Sequence, residues 1–202
     1  MSKRRVGLVM MIIGIMAVTA GLGLSGYNLW DNYRAGIQAY TVLETIVQHQ
    51  EEAATDPNET PSGHPPDLDR KLPTLEVDGH QYIGTVSIPV IDVVLLVQED
   101  WSLELLKTSP CRYMGSPYQG DLIICAHNYA THFGRLKKLL PGDEVIFTDV
   151  EGNEFCYTVV ELESLAGTAV EEMESGAWDL TLFTCTLGGQ ARVTVRCDLL
   201  SE

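Results

Sequence analysis

Hydrophobic and polar positions follow three different regimes along the chain. From Val6 to Leu24 the run VGLVMMIIGIMAVTAGLGL carries no charge, and the uncharged stretch continues to Trp30 because Asp31 is the first charge after Arg5. As a helix, Val6–Leu24 rises about 28 Å, close to a hydrocarbon core of about 30 Å, so residues 1–30 read as a basic tip followed by a transmembrane anchor. Beyond it, apolar or aromatic residues recur mostly three or four apart at Leu29, Tyr33, Ile37, Tyr40, Leu43, Ile46 and Val47. That period predicts an amphipathic helical stalk over 31–54. Residues 55–75 then hold five prolines and few large apolar side chains, the composition of an extended linker.

From residue 76 to 202 the pattern shortens to β-branched runs separated by Gly, Pro, Asp and Asn: YIGTVSIPVIDVVLLVQ, DLIICAHN, DEVIFTDVEGNEFCYTVVELESL, DLTLFTC and ARVTVRCDLL. Such runs predict an all-β barrel or sandwich. VIFTDV and EFCYTVV flank Glu151-Gly152-Asn153, which predicts a hairpin. Helical patterning is confined to Trp101–Lys107, Phe133–Leu140 and, weakly, Ala169–Ser175. No internal repeat is visible.

A chain of 202 residues has room for one modest domain besides these appendages. Its formal charge of −15 disfavours nucleic acid or anionic lipid as a primary partner. Over 76–202 seven basic residues face twenty acidic ones, a balance of −13, so nearly all the charge belongs to the β domain. Lys3, Arg4 and Arg5 precede the uncharged span with no comparable basic cluster after it. The positive-inside rule then predicts a single-pass protein with a cytoplasmic amino terminus and the β domain outside, Tyr27 and Trp30 lying at the outer interface. The competing assignment is a cleaved signal peptide with Val18 or Ala20 near the cleavage site, although signal h-regions usually run 7 to 15 residues.

The five cysteines, 111, 125, 156, 185 and 197, are odd in number and lack C-x-x-C spacing, so at least one thiol stays free in the monomer. Cys111 and Cys156 are expected as small buried hydrophobes. Cys125 and His127 fall on one strand face, but a zinc site with Cys185 or Cys197 would lack the closely spaced ligand pairs of structural zinc, and no metal or other cofactor is expected. A thiol nucleophile needs a base or cationic neighbour, and a carbonyl under attack needs a donor for its oxyanion. His127, Cys185 and Arg192 can supply those roles.

Local sequence strengthens that trio. Thr181-Leu182-Phe183-Thr184-Cys185, followed after a Gly-containing turn by Ala191-Arg192-Val193-Thr194-Val195-Arg196, resembles the sortase signature, in which a Thr-Leu-x-Thr-Cys strand end carries the nucleophile and a nearby Arg opens the next strand. ICAHN at 124–128 resembles the sortase strand ending in the catalytic His, HFGRLKKLLPGDEV the loop and short helix after it, and Tyr82–Pro89 the family's first barrel strand. The likeness spans about Tyr82 to Leu200, in order. It implies a closed sortase β-barrel of about eight strands behind a membrane anchor and helical stalk.

It further implies Cys185 as nucleophile, His127 as general acid/base, Arg192 as oxyanion or substrate-carbonyl stabiliser, and Thr184 and Thr181 as motif-strand residues near the substrate. The reaction implied is cleavage of an LPXTG-like sorting signal through a thioester. An amine of a cell wall precursor or a pilin lysine then resolves the thioester at a Gram-positive cell surface. Arg196 is the rival arginine, four residues along the same face, and His132 the rival histidine. Position 126 is Ala where many sortases have Gly, and the Cys-to-Arg interval is short. His127-Asn128, FGRLKKL and the helix before the barrel look like class B, yet the segment from Ala166 to Thr181 is too short for that class's long helical insertion, so the subclass stays open. Glu171, Glu172 and Glu174 fall short of the oxygens a Ca²⁺ site needs. Two other classes of function remain: a non-sortase cysteine peptidase, disfavoured because papain-like order puts Cys before His, and an inactive extracellular binding domain.

Overall fold

The structure, a computed structural model, describes residues 10–27 and 70–200. The chain divides into two compact units, residues 1–34 and 35–202. In the first, helix α1 (Met10–Tyr27) is long and apolar enough to cross a membrane. Its Met10, Ile15, Val18 and Leu22 side chains are all exposed within the chain, as a lipid-facing helix requires. The predicted stalk at 31–54 and the linker up to residue 69 lie outside the described residues.

The second unit contains β1 (Leu75–Val77), β2 (His80–Ile88), β3 (Val93–Gln98), β4 (Cys111–Met114), β5 (Leu122–Ala126), β6 (Glu144–Asp149), β7 (Glu154–Ala166), β8 (Leu180–Cys185) and β9 (Ala191–Leu199). Hydrogen bonding runs β2-β3-β4-β5-β8-β9-β7-β6, and β6 pairs back onto β2, so eight strands close a barrel while β1 lies outside β2. Closure removes the open edges that an acidic β domain would otherwise expose. Most neighbours are antiparallel, but β3–β4 and β5–β8 are parallel.

The expected hairpin is present: β6 and β7 pair antiparallel around Glu151–Asn153. Asp149, fully buried, accepts bonds from the backbone N–H groups of Glu151 and Asn153 and from the Tyr118 hydroxyl, fixing the turn. The first apolar run is two strands. Pro89–Ile91 form a 3-10 turn and Asp92 takes the left-handed conformation (φ 54°), which reverses the chain between β2 and β3. At Gly84 a Cβ would lie 2.1 Å from the Thr148 carbonyl oxygen, so only glycine permits β2 to meet β6 there. The helical segments are shorter than their patterning suggests: 3-10 turns at Leu105–Lys107 and Phe133–Lys138, and one turn, α2 (Val170–Met173).

Alternation divides the strand residues between two faces. Leu122, Ile124, Leu180, Leu182, Val195 and Cys197 join Ile83, Val86, Phe147 and Tyr157 inside the barrel. On the other face Cys111, Ile123, Cys125 and Phe183 form a smaller cluster capped by Met173 of α2. Cys111 is buried as expected, whereas Cys156 is only half-buried and its thiol lies 3.5 Å from the Glu154 carboxylate. Position 156 sits on the face of β7 opposite the barrel interior, next to the inward-facing Tyr157, which accounts for the difference.

Candidate active site

Three strand ends bring the predicted trio together. β5 and β8 run parallel with Ala126 opposite Thr184, so His127 and Cys185 are the next residues of two adjacent strands at one end of the barrel. β9 returns antiparallel with Arg192 opposite Cys185. Neighbouring strands lie about 4.8 Å apart, and residues directly opposite on one face have Cβ atoms about 4.5–5.5 Å apart. Cys185 therefore sits on the central strand, with the chain position of His127 beside it on one strand and that of Arg192 on the other. Cys185 is exposed, His127 and Arg192 half-buried.

The outer-face cluster forms the floor of this end. Phe183, two residues before Cys185 and on the same face, lies beneath Arg192, whose guanidinium carbon is 5.5 Å from the ring centroid. Tyr113 meets the Phe183 ring edge-on at 5.4 Å, and Trp101, half-exposed, meets Tyr113 at 5.6 Å. Arg192 thus sets a cation above an apolar floor, in a domain whose residues 76–202 carry a net charge of −13. The other thiols differ from the exposed Cys185. Burial pushes Cys111 and Cys197 up to about 12 and Cys125 higher still, so these are packing residues.

Thr184 faces the barrel interior, buried, and its hydroxyl donates to the Ala126 carbonyl at 2.8 Å. That bond ties the strand end carrying Cys185 to the one carrying His127. Thr181 is buried further back along β8, where its hydroxyl accepts from Arg196 Nη1 at 3.0 Å. Arg196 does not reach the strand ends. Its side chain is buried, bound to the Glu163 carboxylate at 2.8 Å, to the Met173 carbonyl at 3.0 Å and to the Glu172 carbonyl. It anchors α2 to the sheet. Glu174 accepts from the Tyr113 hydroxyl at 3.0 Å. Among the described residues no three His, Cys, Asp or Glu side chains converge as metal ligands.

The loop after β5 holds features that spacing alone did not single out. The Phe133 N–H donates to the His127 carbonyl at 3.3 Å, and those of His132 and Gly134 donate to the Tyr129 carbonyl at 3.0 and 2.9 Å. At Gly134 a Cβ would come within 2.7 Å of that same oxygen, so this tight return needs glycine. The Tyr129 ring packs on His127, centroids 4.9 Å apart. His132, the rival histidine, is fully buried and does not present its ring at the surface. Burial, with a smaller repulsion from His127, lowers its pKa to about 4, so it is neutral at physiological pH. Sequence reasoning missed both rings: strand alternation from Cys185 is the signal that could have found Phe183, and Tyr129 left none.

The barrel thus carries a cysteine, a histidine and an arginine at three adjacent strand ends, the residue types that thiol-dependent acyl transfer uses. Comparison with known families is direct: the profile of the sortase domain matches residues 86–200, more than half the chain. The chain belongs to the sortase family, whose members are cysteine transpeptidases. None of the curated proteins matches it in sequence. Among solved structures it is similar to sortase C1 from Streptococcus suis, at 27% identity over 61% of this chain and 75% of that one, TM-score 0.52. Sortase C from Streptococcus pneumoniae shares the fold at 24% identity over 79% and 94%, TM-score 0.56. So does a Clostridium perfringens sortase D5 transpeptidase, at 23% over 59% and 79%, TM-score 0.52. These neighbours carry different sortase letters, and the likeness selects no subclass.

Proposed function

We propose that the protein is a membrane-anchored sortase that cleaves an LPXTG-like sorting signal and joins its Thr carbonyl to an amine. Cys185 Sγ, as thiolate, attacks the Thr carbonyl carbon. Arg192 donates N–H bonds to the developing oxyanion. Collapse of the tetrahedral species breaks the C–N bond, and imidazolium His127 gives its proton to the leaving amine. A thioester remains. His127 then takes a proton from the incoming amine, which attacks the thioester and expels the Cys185 thiolate, so one amide is exchanged for another. Where water takes the amine's place the same steps give hydrolysis.

The observation that carries this reading is the register of β5, β8 and β9, which puts His127, Cys185 and Arg192 side by side at one barrel end. Family membership and the half-exposed aromatic floor agree with a peptide substrate. The acceptor belongs to the same proposal: an amine of a peptidoglycan precursor or a pilin lysine. α1 and the basic residues before it support an anchored protein with a cytoplasmic amino terminus and an extracellular barrel. The full chain in detergent, incubated with a pool of sorting-motif peptides and amine acceptors, should release the C-terminal fragment and form the new amide. No cleavage by the wild-type chain, or cleavage by Cys185→Ala at the wild-type rate, would reject the assignment.

A further inference from the structure

Among the described residues, His132 leaves two buried polar atoms without a partner. Its side chain is wholly buried, and the two atoms are its ring nitrogens. An apolar ring would fill this place without leaving two polar atoms unpaired. Its surroundings connect it to the site. The His132 ring lies 5.4 Å from the Tyr129 ring at an interplanar angle of 57°, and Tyr129 lies 4.9 Å from the His127 ring at 39°. Tyr129 thus touches both the buried His132 and the His127 ring at the strand end. The backbone closes the same loop through the Tyr129 and His127 carbonyls, which fixes the main chain that carries all three rings.

We infer that His132 is a positioning residue: through Tyr129 it holds the His127 imidazole in the orientation that faces Cys185. This inference rests on His127 being the acid/base of the proposed function. His127 is half-buried at a strand end, and the Tyr129 ring packs against one side of it. Tyr129 is itself only half-buried and is backed by His132, the one ring of the three with no exposure. The role is carried by the volume and planarity of the ring; its nitrogens are not required. At physiological pH the ring is neutral, so it backs Tyr129 without placing a second positive charge beside His127.

The test is the rate at which iodoacetamide alkylates Cys185 in the full chain at pH 7. It needs no substrate and reports the thiolate–imidazole pairing. His132→Ala should lower that rate five- to tenfold, and His132→Phe should hold it within twofold of wild type while raising Tm. Tyr129→Ala should match His132→Ala, and the double variant should be no slower than either single one, because both break the same ring contacts. Losses that multiply would show two independent structural effects and overturn the inference, as would His132→Ala alkylating at the wild-type rate with its circular dichroism intact. Should His132→Ala fail to fold, Tyr129→Ala decides alone: an unchanged rate overturns the inference. His127→Ala separates the two levels. If it slows alkylation while the His132 and Tyr129 variants do not, only the positioning role fails; if it has no effect, the acid/base assignment falls with it.

Discussion

Arg192 and Arg196 share a strand face four residues apart, and substituting each in turn separates chemistry from architecture. Arg196 has a 2% exposed side chain in contact with one carboxylate, one hydroxyl and two backbone carbonyls, of Glu172 and Met173. In Arg196→Ala those carbonyls and the Thr181 hydroxyl lose their donor in a dry site. Glu163 is 30% exposed and can rehydrate in part. Breaking a buried pair of this kind costs about 3–5 kcal/mol. At roughly 4 °C per kcal/mol for a domain of this size, Tm should fall by about 12–20 °C. Arg196→Lys keeps the charge but not the planar fork and should cost about 1–3 kcal/mol, with little change in turnover by the folded enzyme. Arg192→Lys should do the opposite, leaving Tm within a few degrees and lowering kcat by roughly 10²- to 10³-fold, the scale of one lost oxyanion donor. Thermal melts followed by circular dichroism, paired with steady-state peptide turnover, read both axes. A stable but inactive Arg196→Lys beside an active Arg192→Lys would show that the catalytic arginine is 196 and refute the register on which these roles depend.

Other consequences can be checked as directly. Cys185→Ala should abolish hydrolysis and transpeptidation with Tm unchanged, since a methyl group forms no thioester, and His127→Ala should be nearly as damaging, well beyond the loss at His132→Ala. With Cys111 and Cys197 pushed up to about 12 by burial, iodoacetamide at pH 8 should label Cys185 first and Cys156 next, the remaining three only after denaturation; peptide mass mapping with early label on Cys111 would contradict this. His132 stays neutral in the folded state down to about pH 4, whereas the unfolded chain protonates it near 6.5. The unfolded state therefore binds the extra proton in that window, and stability should drop by up to about 3 kcal/mol as pH falls through it. His132→Phe should lack that part of the loss, so equal pH slopes of wild type and variant in melts between pH 7 and 4.5 would disprove the burial. Protease added to intact cells should digest the barrel and spare the amino terminus; a barrel found free in the medium would point to a cleaved signal peptide.

Much of this was written in the order of residues. The β-branched runs, the turn at Glu151–Asn153 and the uncharged amino-terminal span carry local periodicities that survive folding, and the Thr-Leu-x-Thr-Cys strand end marked the trio. Arg192 was favoured over Arg196 because it lies nearest the turn that opens β9, and the structure buries Arg196 away from that end. The rest depended on distant partners. Barrel closure is a pairing between β2 and β6, some sixty residues apart, which no local pattern encodes. Arg196 is buried because carbonyls from α2 come to meet it, so its role is set by a loop more than twenty residues earlier. His132 follows Ala130-Thr131 in what reads as a solvated loop, yet two backbone bonds to Tyr129 turn it inward. Cys156 showed the reverse error: an apolar residue type in a strand pattern was expected inside, but its register puts it on the outer face.

The central claim is that Cys185 forms a thioester with a sorting signal while His127 and Arg192 flank it. The most direct test is to trap that species: the full chain is mixed with a Leu-Pro-X-Thr-Gly peptide pool without an amine acceptor, quenched in acid, digested and mapped by mass spectrometry. The account predicts an adduct of the peptide up to its Thr, on the fragment containing Cys185, that is lost on adding hydroxylamine and absent from Cys185→Ala. Cleavage of the peptides with no adduct at Cys185, or an adduct mapped to Cys111, Cys125, Cys156 or Cys197, would contradict it.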